Sequence, residues 1–133
     1  MVVEQDFEKA LEWYNKGADG GSATAMVDLG DIYLNGDGVE RDYSRAFNLY
    51  LKAAEAGDHF GMAQLALCYN HGYGVEENLE LGAEWNFKAA ELGNPLAMIN
   101  LSLAYQHGRG VEQNSDLAQQ WKDMAAEHGI RLG

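Results

Sequence analysis

Apolar side chains return along this chain of 133 residues at two helical spacings. Ala25, Met26, Leu29 and Tyr33 stand at i, i+1, i+4 and i+8, one stripe of a 3.6-residue helix, and Ala46, Leu49, Tyr50 and Ala53 make a second such stripe. No stretch alternates apolar and polar residues with period two, so strands are not expected. The pattern recurs every 36 residues: Met26, Met62, Met98; Leu29, Leu65, Leu101; Tyr33, Tyr69, Tyr105; Val39, Val75, Val111; Ala18, Ala54, Ala90, Ala126. A period between 20 and 50 residues marks a stacked repeat protein. Each period predicts two helices. The first runs from Ser22 to about Leu34, Asp58 to about Asn70, and Asn94 to about Gln106; the second runs from about Asp42, Asn78 and Asn114 to the Ala-Ala-Glu-x-Gly endings at Gly57, Gly93 and Gly129. Every start carries a side chain that can cap free backbone N–H groups. A partial copy begins at Asp6 and runs to residue 20, so the helix pairs repeat near 22–57, 58–93 and 94–129.

Sixteen glycines beside a single proline look wrong for helices until their positions are compared. Gly21, Gly57, Gly93 and Gly129 share one register, as do Gly36, Gly72 and Gly108, and Gly38, Gly74 and Gly110. Glycine after the second helix suits the left-handed position that ends a helix, where a Cβ would clash. The Gly-x-Gly-Val copies let the chain reverse tightly, with the valine tucked under the turn. Small residues at the Ala25, Gly61, Ala97 slot and at Ala54 and Ala90 allow close helix approach, and tyrosine fills the remaining space with its hydroxyl at the edge.

Composition adds bounds to this picture. Hydrophobic residues are 47% of the chain and charged residues 23%, near globular averages, and the length fits one domain spanning 1–133. Nine Lys and Arg against 21 Asp and Glu give a net charge of −12, which repels a phosphate backbone and argues against nucleic acid as a partner. The single cysteine, Cys68, cannot close an intramolecular disulfide. The N-terminus has neither a basic start nor an apolar core, and no run approaches 18 apolar residues, so neither a leader nor a membrane span is expected and the cytoplasm is the expected location.

The segment Ala-x-x-x-Leu-(Gly/Ala/Ser)-x-x-Tyr-x-x-Gly-x-Gly-Val from Ala25, from Ala97 and, with Gly61 in the Ala slot, from the middle copy, resembles the Sel-one-like repeat (SLR) family, a relative of the tetratricopeptide repeat. The following Ala-x-x-Trp/Leu-Tyr/Asn-x-Lys-Ala-Ala-Glu-x-Gly segment, best seen from Ala46 to Gly57, carries the likeness further. The resemblance implies an all-α, right-handed α/α superhelix of about three helix-turn-helix repeats plus a terminal helix, a binding scaffold to which no catalytic residue, cofactor or metal is attached. Departures are local: Gly82 stands in the Ala46 slot, Asn86 in the Tyr50 slot, and Gly17 in the slot of the first Ala of the Ala-Ala pair. The last helix puts Ser115, Gln119 and Lys122 where Tyr43, Phe47 and Tyr50 stand, which suits a terminal cap. The first keeps Phe7, Leu11, Trp13 and Tyr14 without a preceding partner. Either Met1 to Gln5 folds over that face or it is free for self-association.

If the first helices line the concave side, as the resemblance implies, their variable positions form a groove: Thr24, Asp28, Asp31 and Asn35, then Phe60, Gln64, Leu67 and His71, then Leu96, Asn100, Leu103 and His107. It has an acidic end at Asp28 and Asp31 and an apolar floor at Phe60, Leu67, Leu96 and Leu103, chemistry suited to a protein or peptide. The competing reading is that these apolar residues pack between neighbouring repeats. His71 and His107 hold equivalent slots, about 10 Å apart by helix packing and too far to share one zinc. Cys68 reads as a small buried hydrophobe rather than a nucleophile, and the carboxylate pair Glu76 and Glu77 as solvated charge. Trp13, Trp85 and Trp121 share a slot that suits packing better than a ligand cage. The expected function is a non-enzymatic adaptor binding a protein or peptide. The alternative is an acidic immunity or inhibitor-type protein neutralising a basic effector.

Overall fold

The computed structural model describes the backbone of residues 2–129 and side chains from Asp6 to Gly129. Among the described residues seven α-helices follow one another: α1 (Val2–Asp19), α2 (Ala23–Asn35), α3 (Tyr43–Glu55), α4 (His59–His71), α5 (Leu79–Glu91), α6 (Pro95–His107) and α7 (Ser115–Glu127). Helix α1 starts at Val2 and not at Asp6, because Val2 to Gln5 hold no glycine or proline to stop propagation. Those residues therefore lengthen α1 instead of folding across it; Met1 and the side chains up to Gln5 lie outside the described residues.

The helix boundaries have local causes. Ser22, Asp42, Asp58, Asn78, Asn94 and Asn114 are all extended N-caps whose side chains accept from the backbone N–H three residues on. At the close of α3, Gly57 N–H donates to the Ala54 carbonyl and Asp58 N–H to that of Ala53, the paired bonds of a Schellman motif. Asp58 is thus the last residue of one helix ending and the cap of the next helix, and Ser22 and Asn94 repeat the arrangement. That double duty keeps the connection between repeats to three residues.

All ten glycines of the three registers, and no other residue described, have positive φ. Two positions show why. Gly57, at φ 89°, has open space around an added Cβ, so conformation alone selects glycine there. Gly74, at φ 73°, lies against the start of α3, and a Cβ would run into the Tyr43 carbonyl, so close approach adds to conformation.

Each helix packs on its neighbours in sequence, and α2 also touches α4. The core is continuous along the stack, with Leu29, Tyr50, Leu65, Met98 and Leu101 buried in register. Alanines 46, 53, 54, 89, 90, 97 and 125 are almost fully covered, which sets the close helix spacing. Gly61 departs from the Ala25 slot because a Cβ there would sit 2.7 Å from that of Ala53.

Two packing expectations need correction. Trp85 and Trp121 pack against the core, but Trp13 in the same slot is 75% exposed. Trp121 meets the edge of Phe87 on α5, the second helix of the repeat before it, and among the described residues no such helix precedes α1. Nor does every tyrosine hydroxyl reach the edge: Tyr33 accepts from Arg45 at 2.9 Å near the surface, whereas Tyr50 is wholly buried with its hydroxyl. No described helix is long and apolar enough to cross a membrane.

Candidate functional site

The face formed by the first helices is not uniform, and the differences begin with what sits behind it. In the first repeat the Tyr50 ring on α3 lies flat against Gly30 of α2, where a Cβ would come within 2.6 Å of it. Its hydroxyl donates to Asp31 Oδ1 at 2.5 Å, and Gln64 Nε2 on α4 donates to the same oxygen at 2.9 Å and to the Tyr50 hydroxyl at 3.3 Å. One carboxylate thereby joins three helices. Asp31 and Gln64, expected as groove residues, are tied into this internal network. Beside them burial, with the charge of Asp31 second, pushes the Asp28 carboxyl above the ordinary range.

In the second repeat every member of that network is exchanged. Leu67 stands for Asp31, Asn100 for Gln64, Asn86 for Tyr50 and Ala66 for Gly30. A cavity of about 330 Å3 lies between α4, α5 and α6 in this repeat. Leu67, His71, Asn100, Leu103 and His107 line it, so five of the twelve expected groove residues meet around one space. Behind them is Asn86, only 3% exposed, whose Oδ1 has no hydrogen-bond partner among the described residues. An unpaired buried carbonyl is costly and uncommon.

The other expected residues lie elsewhere. Phe60 and Leu96 are 57% and 53% exposed outside the cavity, and Thr24 and Asn35 are exposed on α2. Phe60 rests on the His59 ring with centroids 4.3 Å apart, and His59 is in turn linked to the buried N-cap Asn94 at 3.1 Å, which joins the starts of α4 and α6. Leu103 is 46% exposed and Leu67 half-buried, so the apolar floor is largely open and does not disappear between repeats.

Asn86, Asn70 and Arg109 also line the cavity and were not among the expected residues. The signal for Asn86 was its departure from the tyrosine slot. Gly82 has a similar origin, since a Cβ there would collide with the Asn70 carboxamide. Cys68 is fully buried and burial pushes its thiol up to about 12. His71 and His107 share the cavity, but among the described residues no group of three or more His, Cys, Asp or Glu side chains could hold a metal ion.

Comparison with known proteins places this architecture. The Sel1 repeat profile matches residues 1–22, 23–58, 59–94 and 95–130, and the chain belongs to the Sel1 repeat family. Repeats of this family generally mediate protein interactions, and the scaffold is typically non-catalytic. A protective antigen of uropathogenic Escherichia coli displaying an SLR fold is similar at 36% identity and a TM-score of 0.83, over 90% of this chain and 26% of that one. A Sel1 repeat protein from Oxalobacter formigenes is similar at 29% identity and a TM-score of 0.85, over 90% of this chain and 47% of that one. The chain thus spans about a quarter of the first relative and under half of the second. Cysteine-rich protein B of Helicobacter pylori shares the fold at 23% identity and a TM-score of 0.75, over 96% of this chain and 92% of that one. No curated protein sequence matches significantly.

Proposed function

We propose, proceeding from the chain's place in the Sel1 repeat family, that it is a non-catalytic scaffold holding a protein or peptide on the face shared by α2, α4 and α6. The observation that carries this reading is the exposure of Phe60, Leu96 and Leu103 on the last two of these helices, at 57%, 53% and 46%. Large apolar side chains gathered on one open face are characteristic of a binding surface, and the amides and imidazoles between them supply directional contacts. The test is the variant Phe60→Ala/Leu103→Asp. Its helical circular dichroism and urea midpoint should match the wild type, while affinity capture of the partner from native lysate should be lost. Unchanged capture would remove this face from consideration.

An acidic inhibitor that neutralises a basic effector is the second reading, and the net charge of −12 favours it. Binding would then weaken steeply between about 50 and 200 mM salt. Asp28→Asn and Glu40→Gln would weaken it more than changes at the leucines. The occupation of Asp31 by Tyr50 and Gln64 counts against this reading, because it leaves less of the acidic end free for a partner.

A further inference from the structure

We propose that the chain associates with a second copy of itself, the Trp13 indole of one copy seated in the groove between α5 and α6 of the other. Between α3 and α4 the Phe47 ring packs on the core at right angles to the Tyr69 ring, with centroids 5.5 Å apart. One period later Ala83 holds the Phe47 slot and Tyr105 the Tyr69 slot, and both line a groove of about 540 Å3. The residue that shrinks from ring to methyl is itself a wall of this space, and Leu101 and Val111 repeat Leu65 and Val75 beside it. A cavity of roughly 150 Å3 suffices for benzene, so the groove has room for an indole. Glu80 and Glu84 border it, as does Lys88, whose Nζ lies 4.3 Å over the Trp85 ring; two carboxylates against one ammonium leave the groove acidic. The occupant stands on α1. Trp13 is 75% exposed, with Lys16 Nζ 5.9 Å from its ring centroid. Lys9 and Lys16 lie one turn to either side of it on the same face, which makes this stripe basic despite Asp6 two turns before, in a chain of net charge −12. An exposed indole flanked by two ammoniums is the complement of an apolar groove edged by two carboxylates.

The contact uses none of Phe60, Leu96 and Leu103, so it stands independently of the scaffold reading. It joins two different patches, and therefore either closes as a reciprocal pair or continues head to tail; in both cases mass rises with concentration. Sedimentation equilibrium of the full chain up to about 1 mM should show that rise, and the Trp13 indole N–H and Ala83 methyl signals should shift together in NMR over the same range. Trp13→Ala should weaken association about 30-fold or more, as loss of a central aromatic anchor does. Ala83→Phe, which gives the groove the ring that Phe47 supplies one repeat earlier, should leave the chain monomeric. Should that variant not fold, the surface change Glu80→Lys/Glu84→Lys decides. Reversing those two carboxylates takes the net charge from −12 to −8, which by general repulsion alone favours association, whereas the proposed contact requires association to weaken. Mixed with Lys9→Glu/Lys16→Glu, it should associate again, because one variant keeps the Trp13 face and the other keeps the groove. A wild-type chain that stays monomeric at the highest concentration, association unchanged in Trp13→Ala, or association strengthened by Glu80→Lys/Glu84→Lys would each overturn the proposal.

Discussion

The Tyr50–Asp31–Gln64 network makes a quantitative claim about how the first two repeats are joined, and a double-mutant cycle measures it. Tyr50→Phe keeps the ring against Gly30 and removes the hydroxyl that donates to Asp31 at 2.5 Å and accepts from Gln64 at 3.3 Å. A hydrogen bond to a charged group contributes about 1.5–3 kcal/mol. Asp31 is half-exposed and keeps Gln64, so the loss should fall at the lower end, about 1.5 kcal/mol. Asp31→Leu installs the residue that the second and third repeats carry, but strands the Tyr50 hydroxyl, which is wholly buried and keeps only Gln64 as a donor to it. An unsatisfied buried hydroxyl proton costs about 1–3 kcal/mol. Removing both partners together strands no buried hydroxyl and leaves only the half-buried Gln64 amide without its two acceptors, so the double variant should lose less than the sum, with a coupling of about 1–2 kcal/mol. Urea melts followed by far-ultraviolet circular dichroism read this directly, provided the slopes stay equal. Additivity within about 0.5 kcal/mol would show that hydroxyl and carboxylate are solvated independently and that the network does not bind the repeats together.

Two further outcomes follow from the geometry. Gly57→Ala should cost about 1 kcal/mol through its left-handed backbone alone, whereas Gly74→Ala should cost about 1–3 kcal/mol more because its Cβ meets the backbone of Tyr43; equal urea midpoints would refute the close approach. For Asp28, burial and Asp31 raise the folded-state pKa above the ordinary 3.8, so the ionised carboxyl weakens the fold at neutral pH and ceases to do so as pH falls. Asp28→Asn should therefore raise the urea midpoint at pH 7, and the gain should vanish below about pH 3.8; a gain that persists in acid would contradict that origin.

What the sequence determined by itself was the punctuation of the fold. The period, six N-caps and ten positive-φ glycines were legible because each depends on a few adjacent residues: a side-chain oxygen three positions before an N–H, or a backbone angle that a Cβ forbids. The stripes placed the core for the same reason, since helical periodicity is local. The extra turn at Val2 to Gln5 was missed because nothing distinctive marks a helix that simply continues.

Only the tertiary structure decided which polar residues on the first-helix face remain free. Asp31 and Gln64 lie 33 residues apart, and their satisfaction depends on the hydroxyl of a third helix. Trp13 and Trp121 occupy one slot, yet exposure follows from whether a second helix such as α5 stands beside it. Asn86 read as a local departure in sequence, but that its Oδ1 is buried without a partner among the described residues depends on the helices packed around it. Helix ends are set by neighbours in the chain and read directly from it. Hydrogen-bond satisfaction and empty volume are sums over neighbours in space, and a repeat that preserves its backbone register can change both.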